Sequence, residues 1–113
     1  MPITRPLQRL EPGVALCTED RKDAVPQGYF GVSTRDYWTD GNGRVLVNLK
    51  DLVETKRHPD LHRLNGCCGL DGCDGPNLVC AKGHEVGTER SDCWMAHAAV
   101  LLEDVVWHQL GQE

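Results

Sequence analysis

The sequence predicts a small α+β domain: a β-hairpin or small sheet, a short helix, and a cysteine-rich loop region stabilised by zinc. Three observations predict it. An aromatic, β-branched stretch interrupted by Asp40-Gly41-Asn42-Gly43 marks a hairpin, leucine spacing after Asn48 marks a helix, and five of the six cysteines crowd between positions 67 and 93. With 113 residues the chain has the length of one domain, since two halves of this size would each lack a core. The single domain 1–113 divides into an irregular arm with a short strand (1–27), a hairpin and short helix (28–64), and a cysteine-rich region with a C-terminal element (65–113).

In order along the chain, residues 1–27 carry Pro2, Pro6, Pro12 and Pro26, which limit helix and leave an extended arm with a short strand around Val14-Ala15-Leu16-Cys17. Tyr29-Phe30-Gly31-Val32 reads as a strand. Tyr37-Trp38 and Arg44-Val45-Leu46-Val47 read as the two arms of a hairpin, because Gly and Asn tolerate the positive φ of the turn between them. From Asn48 the period changes. Leu49, Leu52 and Val53 recur at helical spacing, Asn48 can cap, and Asp51 in the first turn suits the helix dipole. Such a helix must end before Pro59, and Leu61 with Leu64 can add another turn. Gly66, Gly69, Gly72 and Gly75 then fall every third residue and let the backbone turn around a bound ion. Helix and strand compete for the last segment, Cys93 to Leu110. Ala96, Ala98 and Ala99 favour helix, whereas Val100-Leu101-Leu102 and Val105-Val106-Trp107 suit buried strands about a Glu103-Asp104 turn.

Only six residues are aromatic (three Trp, two Tyr, one Phe) against twelve glycines, so the core is thin for the length and a metal or disulfides are expected to help hold the loops. No run of apolar residues is long enough for a leader or a membrane span, so the expectation is a protein of the cytoplasm, where clustered thiols bind metal more often than they pair. Were a leader trimmed away, the same six cysteines would suit three disulfides. A net charge of −5 with scattered basic residues argues against nucleic acid as a partner. The run Lys56-Arg57-His58 reads as a solvated helix face.

The chemistry lies in Cys67, Cys68, Cys73, Cys80 and Cys93, with His84 inside that window and His97 just beyond it. Thiolate and imidazole are the donors tetrahedral zinc prefers. Asp71, Asp74 and Asn77 can fix turns through side-chain to backbone hydrogen bonds. The spacing is no standard finger, and seven donors compete for four positions. Cys67 and Cys68 can share an ion if the flanking Gly66 and Gly69 turn the chain sharply, and Cys80 and Cys93 then complete the shell. Cys73, His84 and His97 come next: Cys73 follows Cys68 after four intervening residues, His84 follows Cys80 at i+4, and His97 follows Cys93 at i+4. Small buried cysteines without a ligand are the competing explanation. Cys17, His58, His62 and His108 are assigned no chemistry.

Other motifs fail on their own terms. Asp74 and Glu85 have calcium-loop spacing, but Pro76, Leu78 and Val79 occupy positions that need ligands and glycine. A zinc deaminase needs a C-x-x-C pair after His84-Glu85, and a cysteine hydrolase needs one activated thiol with an ordered histidine. No catalytic residue is assigned.

The stretches Asn65-Gly66-Cys67-Cys68-Gly69, Asp74-Gly75-Pro76-Asn77 and Ser91-Asp92-Cys93-Trp94 resemble small bacterial cysteine-rich proteins of unassigned function, over roughly residues 45 to 102. The resemblance implies a bacterial, cytoplasmic, metal-binding protein and carries no activity with it. Two functions are therefore expected to compete. One is a non-catalytic module in which structural zinc fixes the 66–93 loop, and a surface formed by that loop and the hairpin binds another macromolecule, with a protein as the expected partner; stripping zinc should then unfold it, because structural zinc contributes roughly 10–16 kcal/mol in small metal-folded peptides. The other is a metal- or thiol-dependent enzyme or redox protein using the Cys67 to Cys93 cluster.

Overall fold

A computed structural model of the chain describes residues 3–11, 16–32 and 44–102. Their regular structure is nearly all sheet. Seven strands, β1 (Gln8–Arg9), β2 (Tyr29–Val32), β3 (Val45–Val47), β4 (Thr55–Arg57), β5 (Leu78–Cys80), β6 (Glu85–Arg90) and β7 (Ala98–Leu101), form one mixed sheet in the order β1-β2-β3-β7-β6-β5-β4. The β1–β2 pair is parallel and the other pairs are antiparallel. The expected α+β class is thereby corrected: among the described residues the only helical pieces are two 3-10 turns, Leu49–Asp51 and Leu61–Arg63.

The helix expected after Asn48 stops after one turn for a physical reason. Asn48 caps as expected, its side chain accepting from the Lys50 amide at 2.9 Å. The backbone beyond is then claimed by the N-terminal arm, with Arg5 N donating to Asp51 O at 2.9 Å and Val53 N to Ile3 O at 2.7 Å. Glu54 takes a φ of 57°, which no right-handed helix can pass through, and β4 follows, so Lys56 and Arg57 lie on an edge strand and not on the helix face expected from sequence. Tertiary pairing has outbid local periodicity.

The contest over the C-terminal segment resolves toward strand where it is described. β7 lies mid-sheet between β3 and β6 and is buried along its whole length. A strand covered on both faces reads as an unbroken apolar run, which is how Ala98-Ala99-Val100-Leu101 comes to resemble a helix in sequence. Tyr29–Val32 and Val45–Val47 form strands as expected, and they pair with each other through Phe30↔Val47 and Val32↔Val45. Tyr37-Trp38, the turn at 40–43, Val14-Ala15, and everything from Glu103 onward lie outside the described residues, while Leu16-Cys17 is not strand.

Side chains alternate across the central strands and so build two apolar layers. Val47, Ala99 and Leu101 face one side with Ile3, Leu7, Leu78 and Val86. Leu46, Ala98 and Val100 face the other, under Ala24, Val25 and Ala96. Gly31 sits on that second side, where a Cβ would come within 2.7 Å of the Leu16 side chain. Irregular segments thus cover both faces of the sheet, pinned by buried polar groups: Asn48 Nδ2 donates to Val25 O at 2.9 Å, and Gly28 N donates to the Asp51 carboxylate at 2.7 Å.

Candidate metal centre

The chain leaves β6 at Arg90 and enters β7 at Ala98 through a short turn, Ser91 to His97. Against this turn packs the glycine-rich loop that precedes β5. Leu70 N donates to the Ser91 hydroxyl at 3.1 Å, Ser91 N returns a bond to Leu70 O at 2.8 Å, and Asp71 N closes the loop on Asn65 O at 2.9 Å. Two glycines make the approach possible. A Cβ on Gly66, whose φ is 154°, would lie 1.7 Å from Gly69 O, and one on Gly69 would lie 2.2 Å from Ser91 O. In both cases the backbone itself would have to shift to admit a side chain.

Asp92 is the hub of the junction. Its side chain is 1% exposed, and its two carboxylate oxygens accept four N–H groups. One oxygen takes Cys68 N at 2.9 Å and Cys93 N at 2.7 Å, and the other takes Cys67 N at 2.9 Å and Trp94 Nε1 at 3.0 Å. The Cys68 and Cys67 amides, with that of Cys93, hold its carboxyl far below the usual value of 3.8 despite burial. A permanent anion therefore orients the backbone of every cysteine around it.

The consequence is a convergence of sulfurs. The Sγ atoms of Cys67, Cys68 and Cys93 all lie within 4.8 Å of one another, a spacing at which one cation can touch all three. Cys67 and Cys68 are exposed and Cys93 half-buried, so the cluster opens to solvent. Hydrogen bonding to the Cys68 sulfur pushes the Cys93 thiol up, and burial and Asp92 add to this. All six cysteines are unpaired thiols.

Of the seven donors singled out from sequence, these three meet; the other four lie apart from them. Cys80 ends β5 and packs against the Ile3 layer of the sheet, next to the tight turn in which its amide bonds His84 O at 2.9 Å. Amides of that turn, His84 first and then Lys82, draw the Cys80 thiol down. His84 is exposed at the same turn. Cys73 lines a separate cavity of about 310 Å³ with Arg44, Thr88 and Val100, and burial followed by the Asp71 charge pushes its thiol up. His97 lies in the cysteine turn, but its Nε2 is engaged with Asp92 O at 3.0 Å. Asp71 fixes a turn as expected, accepting from Cys73 N at 2.9 Å.

Sequence reasoning missed Asp92. A signal was available: an Asp directly before Cys93 and Trp94, facing a cysteine pair with flanking glycines, is the residue type that binds several backbone amides at once. Comparison with known protein families, with curated proteins and with solved structures returns no match. The cluster alone carries the functional argument. It is a three-cysteine group that can hold a metal ion. Among the described residues no helix is long and apolar enough to cross a membrane.

Proposed function

We propose that this chain is a small zinc-binding module of a reducing compartment such as the bacterial cytoplasm, its metal structural, and that it serves to bind another protein. The observation that carries the reading is the convergence of three cysteine sulfurs from two segments on a scaffold that Asp92 holds in place. Thiolates select soft or borderline cations, and zinc among these brings no redox chemistry of its own. An ion there ties the loop at Cys67-Cys68 to the turn at Cys93. The half-exposed indole of Trp94 beside it supports a docking role, since large rigid aromatics anchor protein contacts.

The test is metal content of the purified chain combined with serine substitutions. One zinc per chain is expected, lost in Cys67→Ser, Cys68→Ser and Cys93→Ser and kept in Cys73→Ser and Cys80→Ser. A second reading, a thiol redox pair, is supported by the approach of the Cys93 and Cys68 sulfurs to within 4.8 Å of each other. It predicts metal-free protein in which an added disulfide oxidises these two thiols together, leaving Cys67 free.

A further inference from the structure

Three thiolates do not complete the four-coordinate shell of a zinc-type ion. Among the described residues no fourth Cys, His, Asp or Glu donor joins the cluster. Two candidates near Cys93 in sequence lie outside that group: both Asp92 oxygens accept backbone and indole N–H groups, and neither ring nitrogen of His97 comes within 4.8 Å of all three sulfurs. The cluster faces solvent through Cys67 and Cys68.

Trp94 borders that opening in a defined pose. Its indole N–H and the Cys67 amide share one Asp92 oxygen, at 3.0 and 2.9 Å, so the ring is fixed alongside the Cys67 backbone. It belongs to neither apolar layer of the sheet and stays 53% exposed. A tryptophan tethered by its polar edge, with its surface in water, is built to receive something flat.

Charge decides what. A divalent ion on three thiolates carries one net negative charge, and the Asp92 carboxylate adds another beside it. A fourth anionic donor would deepen that repulsion, whereas a neutral nitrogen donor would not. Imidazole ligates as the neutral ring and is planar, so it can coordinate the ion and lie against the indole together.

Resting on the zinc-site reading above, we propose that the three-cysteine centre keeps one coordination position for an external imidazole donor, seated against Trp94. The donor is either a small imidazole compound or a histidine side chain of another polypeptide.

The experiment uses the full chain loaded with one equivalent of cobalt(II), titrated separately with imidazole and with N-acetylhistidine amide. Saturable shifts of the cobalt d–d and thiolate charge-transfer bands are expected. Response to both ligands points to a polypeptide histidine as a fitting source, and response to imidazole alone to a small molecule. In Trp94→Ala saturated with cobalt, imidazole binding should weaken about two- to tenfold, the worth of one aromatic pair, whatever loss of the indole N–H to Asp92 does to cobalt affinity itself. Trp94→Phe keeps an aromatic face but not the N–H to Asp92, so it should recover only part of the loss, and no recovery at all would assign the effect to the Asp92 contact and overturn the stacking. Bands that stay fixed overturn the proposal, as do bands that bleach because imidazole strips the cobalt, or a spectrum with a fourth sulfur or nitrogen donor before any addition. A chain that binds no cobalt at all overturns the zinc-site reading beneath it instead.

Discussion

Asp92 concentrates more consequence in one side chain than any cysteine it serves. Replacing it with Asn exchanges one acceptor oxygen for an NH2 group that faces N–H donors, so at least two of the four bonds fail. Groups that orient metal ligands from behind typically govern affinity by 10–100-fold, and a loss of about that size in zinc affinity is expected for Asp92→Asn, read by competition with a chromophoric chelator. The same carboxylate sets an acid limit. Its folded-state pKa lies below the ordinary 3.8, so it stabilises the fold fully above that value and loses this contribution as pH falls below about 4. In chelator-treated protein, the acid limb of the stability–pH curve should therefore flatten in Asp92→Asn, as followed by denaturant midpoint at stepped pH.

Among elements, the glycine loop and the turn before β7 work as a matched pair. Gly69→Ala drives a methyl group into Ser91 O, a backbone atom one residue beyond the end of β6, and should cost about 2 kcal/mol or more by urea denaturation. Gly83→Ala offers a contrast within the same protein: its φ of 87° strains an alanine, but a Cβ there meets nothing within 4 Å. Its cost is conformational only, on the order of 1 kcal/mol. This scale also explains what could be read in advance. β2 and β3 were legible because Tyr29–Val32 and Val45–Val47 carry strand residues bounded by turn residues. β7 was ambiguous because full burial erases the alternation that distinguishes strand from helix. The region after Asn48 misled, since its cap and leucine spacing are real, yet the pairing of Ile3 and Arg5 with Asp51 and Val53 is invisible to any local window. The cysteine centre was half legible. Clustering pointed to Cys67, Cys68 and Cys93, but nothing local showed that the Cys80 thiol would pack on the sheet or that Cys73 would line another cavity.

For the whole molecule, the two apolar layers and the sulfur cluster are distinct supports. Neither layer includes Cys67, Cys68 or Cys93. Chelation should therefore lower thermal stability without erasing the sheet, a milder outcome than the unfolding expected from sequence alone. A ligand present at a thousand times its Kd stabilises the native state by about 4 kcal/mol, which for a domain of this size is a shift of about 15 °C. Differential scanning calorimetry with zinc and with chelator, alongside far-ultraviolet circular dichroism, measures both parts of that expectation.

The centre of the sheet is closed late in the chain, because β3 lies beside β7, with Leu46 opposite Val100, while the glycine loop, β4, β5 and β6 all lie between them in sequence. So long a closure places refolding in the range of milliseconds to seconds. An ion joining Cys67-Cys68 to Cys93 roughly halves that closure, and halving a loop is worth only about 0.6 kcal/mol, or about threefold in rate. The metal should thus hasten refolding by no more than about threefold in stopped-flow experiments and act mainly by slowing escape from the native state, making it a brake on unfolding and scarcely a guide to folding.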